Sequence, residues 1–363
     1  MVKKTALIAG ASIAGLTMAH WLNRYGYHVT VVEISPGLRK GGAAIDVRGE
    51  ALKVAERMGI LDKIKAKKIT TTVEFVDDQD KCIATMKNFG EDALRQDIEL
   101  HRDHLMGIIY EAATTDIEYL FNNRIKAISQ DDNKVSVVFE NGQNRDFDFV
   151  FGADGTHSTV RKLIFGKEDL FNHYFGAYFA ILKADESLGS LIRGQIYNVP
   201  GKMAAYSDKG NAMLIFRSGK LDYDYRSATE QKEILKENFA GCGWKIPVII
   251  EAMISSEDLY FDEVCQVKMS SWAKGRVALI GDAAYCSGFP TGMGTSLAIQ
   301  GASILADELM ASNGDYNLAF SRYNSLFHPF VETIQATIVN GIDFLVPATE
   351  EGIRLRNEMV KNL

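Results

Sequence analysis

The sequence predicts an α/β fold, a parallel sheet layered with helices that carries an inserted, mainly antiparallel sheet and ends in helices. Three observations predict it. Strand, glycine turn and helix follow one another three times, within residues 6–24, 147–164 and 275–309, the pattern of parallel strands joined by crossover helices. Between the second and third segments lie four short runs rich in aromatic and β-branched residues and separated by turn residues, which read as connected strands. From Tyr316 onward, apolar residues recur at helical spacing.

Each element follows from local sequence. Ala6-Leu7-Ile8-Ala9 is a short apolar strand and Gly10-Ala11-Ser12-Ile13-Ala14-Gly15 a tight turn. Residues 16–24 carry helix spacing through Leu16, Ala19 and Leu22, and Gly26 stops the helix as an unhindered left-handed residue. His28 to Glu33 reads as a buried parallel strand ending in an acid. Lys3, Lys4 and the uncharged run after them could open a secretory leader, but the pattern continues straight into this βαβ unit, so the stretch is read as fold. Such a unit can hold a diphosphate. Gly10 lets the strand turn sharply, Ser12 stands at the middle glycine position of GxGxxG, Gly15 lets helix and strand approach, and Ile13 and Ala14 offer free N–H groups. Glu33, 18 residues beyond Gly15, suits a ribose hydroxyl; a solvated strand-end acid is the plain alternative.

In the second segment, residues 147–152 form a strand, Ala153-Asp154-Gly155 a turn, and 158–164 a helix start containing Arg161. In the third, the strand 277–281 runs into Asp282, a candidate acceptor for sugar hydroxyls, and Gly292-Met293-Gly294 opens a helix whose first N–H groups face whatever lies in front. The inserted strands are 174–183, 194–199, 202–208 and 212–218, with turns at Pro200-Gly201 and Lys209-Gly210-Asn211. One helix starts at Ser227 with Glu230 three residues on, a capping box, and another covers 247–254. In the tail Pro329 marks a break. Ile334, Ile338, Phe344 and Leu345 form an apolar face for packing on the first domain or, as a second reading, for closing a substrate pocket.

Composition bounds the function. A chain of 363 residues, 47% hydrophobic and 24% charged, suggests about two globular domains. A net charge of -7 without a basic run gives nucleic acid no electrostatic support as a partner. Cys82, Cys242, Cys265 and Cys286 form no CxxC pair, which argues against a disulfide framework or zinc site and fits a reducing cytoplasm. No apolar run approaches the roughly 18 residues needed to span a bilayer. His101 and His104, the close pair among the scattered histidines, are expected to be surface or satisfied side chains rather than metal ligands.

The three segments, in this order, resemble the FAD-dependent aromatic hydroxylases, single-component flavoprotein monooxygenases built on the para-hydroxybenzoate hydroxylase fold. The resemblance covers nearly the whole chain. It implies a Rossmann-like FAD-binding domain of residues 1–72, 97–172 and 265–330, a substrate-binding domain of 73–96 and 173–264, and a C-terminal helical segment, 331–363. It implies that Gly10, Ser12, Ile13, Ala14, Gly15 and Glu33 bind the ADP half of FAD, with Arg39 and Arg102 near the cofactor. Asp282 would contact ribityl and diphosphate, while Pro290, Gly292, Gly294, Thr295 and Ser296 would line the flavin. Asp154 and Arg161 belong to a segment that handles FAD and NAD(P)H, with Asp154 as its structural organiser. Tyr285 stands where many members have histidine, and Ser296 where many have asparagine. Within the family, GGAAIDVRG at residues 41–49 and the GDAAY and TGMGTS stretches are most similar to the branch with tetracycline-inactivating monooxygenases.

That resemblance implies a reduced flavin that reacts with O2 to give a C4a-hydroperoxide, attacked in turn by an electron-rich carbon of a phenolic, tetracycline-like substrate, with NADPH or NADH as reductant. Negative charge then develops at N1 and C2=O of the ring, where the helix start at residues 292–296 would stabilise it. Asp46 and Arg48 fall where the family has the flavin and the substrate entrance; they are candidate catalytic residues, with a local salt bridge as the alternative. Arg217 is a further candidate on the inserted sheet, although alternation does not say which face it takes. The expected partners are a small aromatic molecule and O2, acting on a cytoplasmic monomer or homodimer. A non-catalytic FAD-binding sensor would use the same binding residues. A flavin halogenase is the other alternative; Gly243-Trp244-Lys245-Ile246-Pro247 supplies half of the WxWxIP motif, but Cys242 replaces the first tryptophan.

Overall fold

Thr5–Ala9 contains no charged residue and Ala6, Leu7 and Ile8 are fully buried, so this strand takes the interior of a sheet covered on both faces. The computed structural model describes residues 3–39, 44–69, 72–87, 97–113, 116–183, 194–206, 211–256 and 259–362. Residues 41–43 of the GGAAIDVRG stretch, the end of the expected strand 202–208, and Lys209 and Gly210 lie outside them. The chain divides into two compact units, Met1–Ile69 with Arg95–His173 and Cys265–Ala336, and Thr70–Leu94 with Tyr174–Val264 and Thr337–Leu363.

In the first unit, Thr5–Ala9 pairs in parallel with His28–Val32 on one side and Phe149–Gly152 on the other. The described strands of this sheet run in the order Ala273–Lys274, Val277–Leu279, Phe149–Gly152, Thr5–Ala9, His28–Val32, Glu118–Leu120. Ala273–Lys274 is antiparallel to its neighbour; the other pairings are parallel. Strand order therefore reverses at Thr5–Ala9, which opens a crevice at the carboxyl ends of the strands on either side. The helix Ile13–Arg24 is buried from Ile13 to Leu22 because it packs against the sheet, Arg102–Ala112 and Gly294–Ala311 at once. A two-stranded ribbon, Ala44–Val47 against Ile98–His101, and a three-stranded antiparallel sheet, Ile125–Gln130, Val135–Phe139 and Asn144–Phe147, complete the described strands here.

The second unit is built on a seven-stranded sheet in the order Leu259–Val267, Asn172–Lys183, Asn211–Arg217, Lys202–Tyr206, Gly194–Val199, Thr72–Val76, Cys82–Lys87. Strand alternation puts Tyr178, Ala180, Leu182, Leu214 and Phe216 on one face, where they share a core with Leu235 and Phe239 of Ala228–Asn238 and Ile249 of Ile246–Ser255. The capping box forms by half. Ser227 Oγ accepts from Glu230 N, but the Glu230 carboxylate takes the N–H of Asp224 rather than that of Ser227.

The tail departs from expectation at Pro329, which does not break the helix. Tyr316–Gln335 runs through it, because Phe320, Tyr323, Phe327 and Val331 on one buried face hold the turns on either side of the lost N–H. The expected apolar face of the tail is also divided. Ile334 joins the core of the first unit, whereas Phe344 meets Phe75 edge-on in the second, at 6.3 Å between ring centroids. The carbonyls ending the helix Ile338–Leu345 are capped one by one: Phe344 by Arg356, Leu345 by Asn198, Val346 by Arg217 Nε and Pro347 by Gly201 N. Helix ends leave such carbonyls without internal partners, and here a sheet, a turn and the helix Glu350–Lys361 supply the donors.

Candidate functional site

At the strand-order reversal of the first unit, two glycines do different work. Gly10 has φ +104°, and a Cβ there would sit 2.4 Å from the Ala153 carbonyl oxygen, so it serves both the turn and the approach of the neighbouring loop. Gly15 has ordinary helical geometry, but its Cβ would lie 1.9 Å from Gly10 O. Ser12 begins the helix without capping it; its hydroxyl instead accepts from Arg102 Nη2 at 2.8 Å. The first intrahelical bond is Leu16 N to Ser12 O, and among the described residues no side-chain cap closes the N–H groups that precede it. Glu33 closes the turn from the next strand, accepting from Ala11 N at 2.8 Å and Ser35 N at 2.9 Å. Arg39 is exposed.

The second segment is an internally bonded knot. Asp154 accepts from Ser158 Oγ and Val160 N, and Ser158 Oγ in turn caps the helix Thr159–Ile164 at Arg161 N. Burial pushes the Asp154 carboxyl above its ordinary range, against the opposing effect of those donors. Arg161 is 1% exposed and donates to Thr156 O and to Ala283 O, which ties the second segment to the third.

In the third segment Gly281 has φ +61°, and a Cβ on it would be 2.8 Å from Ala14 Cβ and 3.9 Å from Ala298 Cβ. The starts of Ile13–Arg24, Asp282–Tyr285 and Gly294–Ala311 therefore meet closely. Asp282 is exposed at the first position of its short helix. Pro290 lies in the turn Phe289–Thr291, Gly292 is left-handed at φ +64°, and Gly294 opens the long helix, again without a side-chain cap. Thr295 is half-buried and Ser296 fully buried.

The ribbon Ala44–Val47 is fastened to this helix start. Arg48 N donates to Ser296 Oγ at 3.0 Å, and its Nη2 donates to Asp46 at 2.7 Å. Asp97, buried beside the ribbon, places a second carboxylate 3.6 Å from Arg48 Nε. Desolvation raises the Asp46 carboxyl, Arg48 works against the rise, and Asp97 adds to it. Asp97 carried no local sequence signal, since its meaning depends on an arginine just beyond the opposite strand. Arg217 stands in the second unit, donating to Val346 O at 2.7 Å and Asp343 at 2.5 Å.

Two uncapped helix starts, glycines at the closest backbone approaches and an acid at the end of the second strand fit a dinucleotide such as FAD. Over residues 3–317 the chain matches the family described as FAD binding domain. It belongs to the FAD-dependent aromatic hydroxylases, a family of flavoprotein monooxygenases. An uncharacterised protein of Mycobacterium tuberculosis is 41% identical to it over 358 residues, covering 96% of each chain. A flavin-dependent monooxygenase of Legionella longbeachae is 38% identical, over 91% of this chain and 86% of its own. Among solved structures, the tetracycline destructase Tet(51) superposes with a TM-score of 0.88 at 35% identity, over 99% of this chain and 96% of its own.

Tyr285 fills a place shaped for it. A Cβ on Gly301 would sit 1.9 Å from the Tyr285 hydroxyl, so the phenol occupies a notch in the helix Gly294–Ala311 that a glycine makes. Tyr323 OH stands 3.3 Å from Tyr285 OH and donates to Leu279 O. In this monooxygenase the position serves packing among Trp272, Tyr323 and Phe327. Among the described residues no helix is long and apolar enough to cross a membrane.

Proposed function

We propose that this FAD-dependent monooxygenase hydroxylates a polycyclic phenol of the tetracycline kind, taking electrons from NADPH or NADH and one oxygen atom from O2. Bound FAD supplies the oxygen activation. The protein contributes placement and charge. Gly10, Ser12, Ile13, Ala14 and Gly15 would hold the diphosphate, Glu33 the ribose, Arg39 and Arg102 the neighbouring phosphates, and Asp282 the ribityl chain. Pro290, Gly292, Gly294, Thr295 and Ser296 would border the ring, with the helix dipole favouring negative charge there. Asp46 would take the phenolic proton, with Arg48 holding its carboxylate in place. Arg217 is assigned to the clamp on the C-terminal helix, where its Nε and Nη2 are engaged.

The observation that carries this reading is the meeting of two uncapped helix starts at Gly10–Gly15 and Gly292–Ser296 across the close contact of Gly281 with Ala14 and Ala298. The likeness to Tet(51) supports the substrate class. Cys82, Cys242, Cys265 and Cys286 form no disulfide, which suits a cytoplasmic enzyme, working as a monomer or homodimer. The test is NADPH and NADH oxidation by FAD-loaded protein with and without a panel of phenols that includes a tetracycline, followed by product mass. Substrate-stimulated oxidation with a product heavier by one oxygen supports the proposal. Full FAD occupancy without stimulation by any phenol would instead indicate a binder.

A further inference from the structure

Arg48 is held from three directions. Its Nη2 bonds to Asp46, its Nε is buried 3.6 Å from Asp97 without a hydrogen-bond partner among the described residues, and its guanidinium lies against the left-handed turn, where a Cβ on Gly292 would be 3.6 Å from Nη1 and 3.7 Å from Nη2. The main chain repeats the attachment through Arg48 N and the buried Ser296 hydroxyl. The Arg48–Asp46 pair lies within one arm of the ribbon and orients the guanidinium, while Asp97 approaches it from the other arm. Asp97, 6% exposed, brings a second carboxylate to an arginine fixed at the positive end of an 18-residue helix.

We propose that Arg48 and Asp97 tune the reduction potential of the flavin by charge, Arg48 favouring the reduced, negatively charged ring and Asp97 opposing it. This rests on the reading that the Gly292–Ser296 turn borders the ring. Fixed charges in a partly buried site act strongly because nothing has to reorganise when the ring charge changes. Neutralising Arg48 strands two carboxylates beside the turn and makes reduction harder. Neutralising Asp97 leaves Arg48 balanced by Asp46 alone and makes reduction easier. Both changes disturb the same contact, so a merely structural pair would move the potential in one direction, or only weaken FAD binding.

The experiment is equilibration of FAD-loaded wild type, Arg48→Gln, Arg48→Lys and Asp97→Asn with a reference dye during slow reduction, alongside FAD affinity from flavin fluorescence. Arg48→Gln should lower the reduced-to-oxidised ratio at a fixed ambient potential by about tenfold, about 30 mV for a two-electron couple. Asp97→Asn should raise it by a similar factor, and Arg48→Lys, which keeps the charge, should stay near wild type. Shifts of Arg48→Gln and Asp97→Asn in the same direction, or none in either, would overturn the proposal. If one of these variants does not fold, the other is judged with Arg48→Lys: an Arg48→Lys shift as large as that of Arg48→Gln, or an unmoved Asp97→Asn, would also overturn it. Wild-type protein that takes up no FAD would contradict the cofactor reading instead.

Discussion

Gly15 lies so close to Gly10 that a single methyl on Gly15 would stand 1.9 Å from the Gly10 carbonyl oxygen. Helix and strand can share this turn only while position 15 is bare. Gly15→Ala is expected to force the two apart, costing about 1–3 kcal/mol as an overpacked site does, and to lower FAD occupancy. Gly15→Val should go further and empty the site. Flavin absorbance per protein and thermal melting measure both, and a Gly15→Val protein with full FAD would contradict the assignment.

Arg217 should behave as a clamp. Arg217→Ala removes donors to Val346 O and to Asp343, and a loss of about 1–2 kcal/mol in stability is expected from the vacated carbonyl. Asp343→Ala should cost less, because Asp343 is mostly exposed. Limited proteolysis should cut the Arg217→Ala tail faster, with FAD affinity unchanged. A raised KM for the phenol at unchanged stability would return Arg217 to the substrate.

Gly301 and Tyr285 should be coupled. Gly301→Ala drives a methyl into the Tyr285 hydroxyl and should destabilise the protein by a few kcal/mol, by the order found for overpacked cores. Combined with Tyr285→Phe, which removes that oxygen, part of the loss should be recovered. An interaction of about 1 kcal/mol or more in a double-mutant cycle is expected; strict additivity would show that the notch does not serve the hydroxyl.

His20 gives the protein an acid limb. It is buried, its Nε2 has no partner among the described residues, and desolvation lowers its imidazole below the ordinary 6.5. As pH falls through 6.5 the unfolded chain takes up a proton that the folded form resists, so stability declines towards the folded value. His20→Gln should flatten the thermal midpoint against pH in that window. An unchanged slope would assign the decline to other groups.

Much of the first unit is written locally. The strand at Thr5, the turn at Gly10 and the stop at Gly26 each follow from a few neighbouring residues, because an uninterrupted apolar run and glycines at special backbone positions leave few alternatives. The inserted strands were legible for the same reason, through alternation and turns. What depends on distant packing was not. Pro329 reads as a break until the buried face of Phe320, Tyr323, Phe327 and Val331 holds the helix through it. Arg217 sits on a strand whose period gives two faces without naming their neighbours, so its partners on the C-terminal helix stayed hidden. Asp97 acquires meaning only when the ribbon brings it beside Arg48.

On this reading the Gly10–Gly15 and Gly292–Ser296 turns hold FAD. The most direct test is the visible spectrum of purified protein after incubation with excess FAD and removal of the unbound portion. Flavin bands at one FAD per chain are expected, lost in Gly15→Val. A colourless wild-type protein that has taken up no FAD would contradict it.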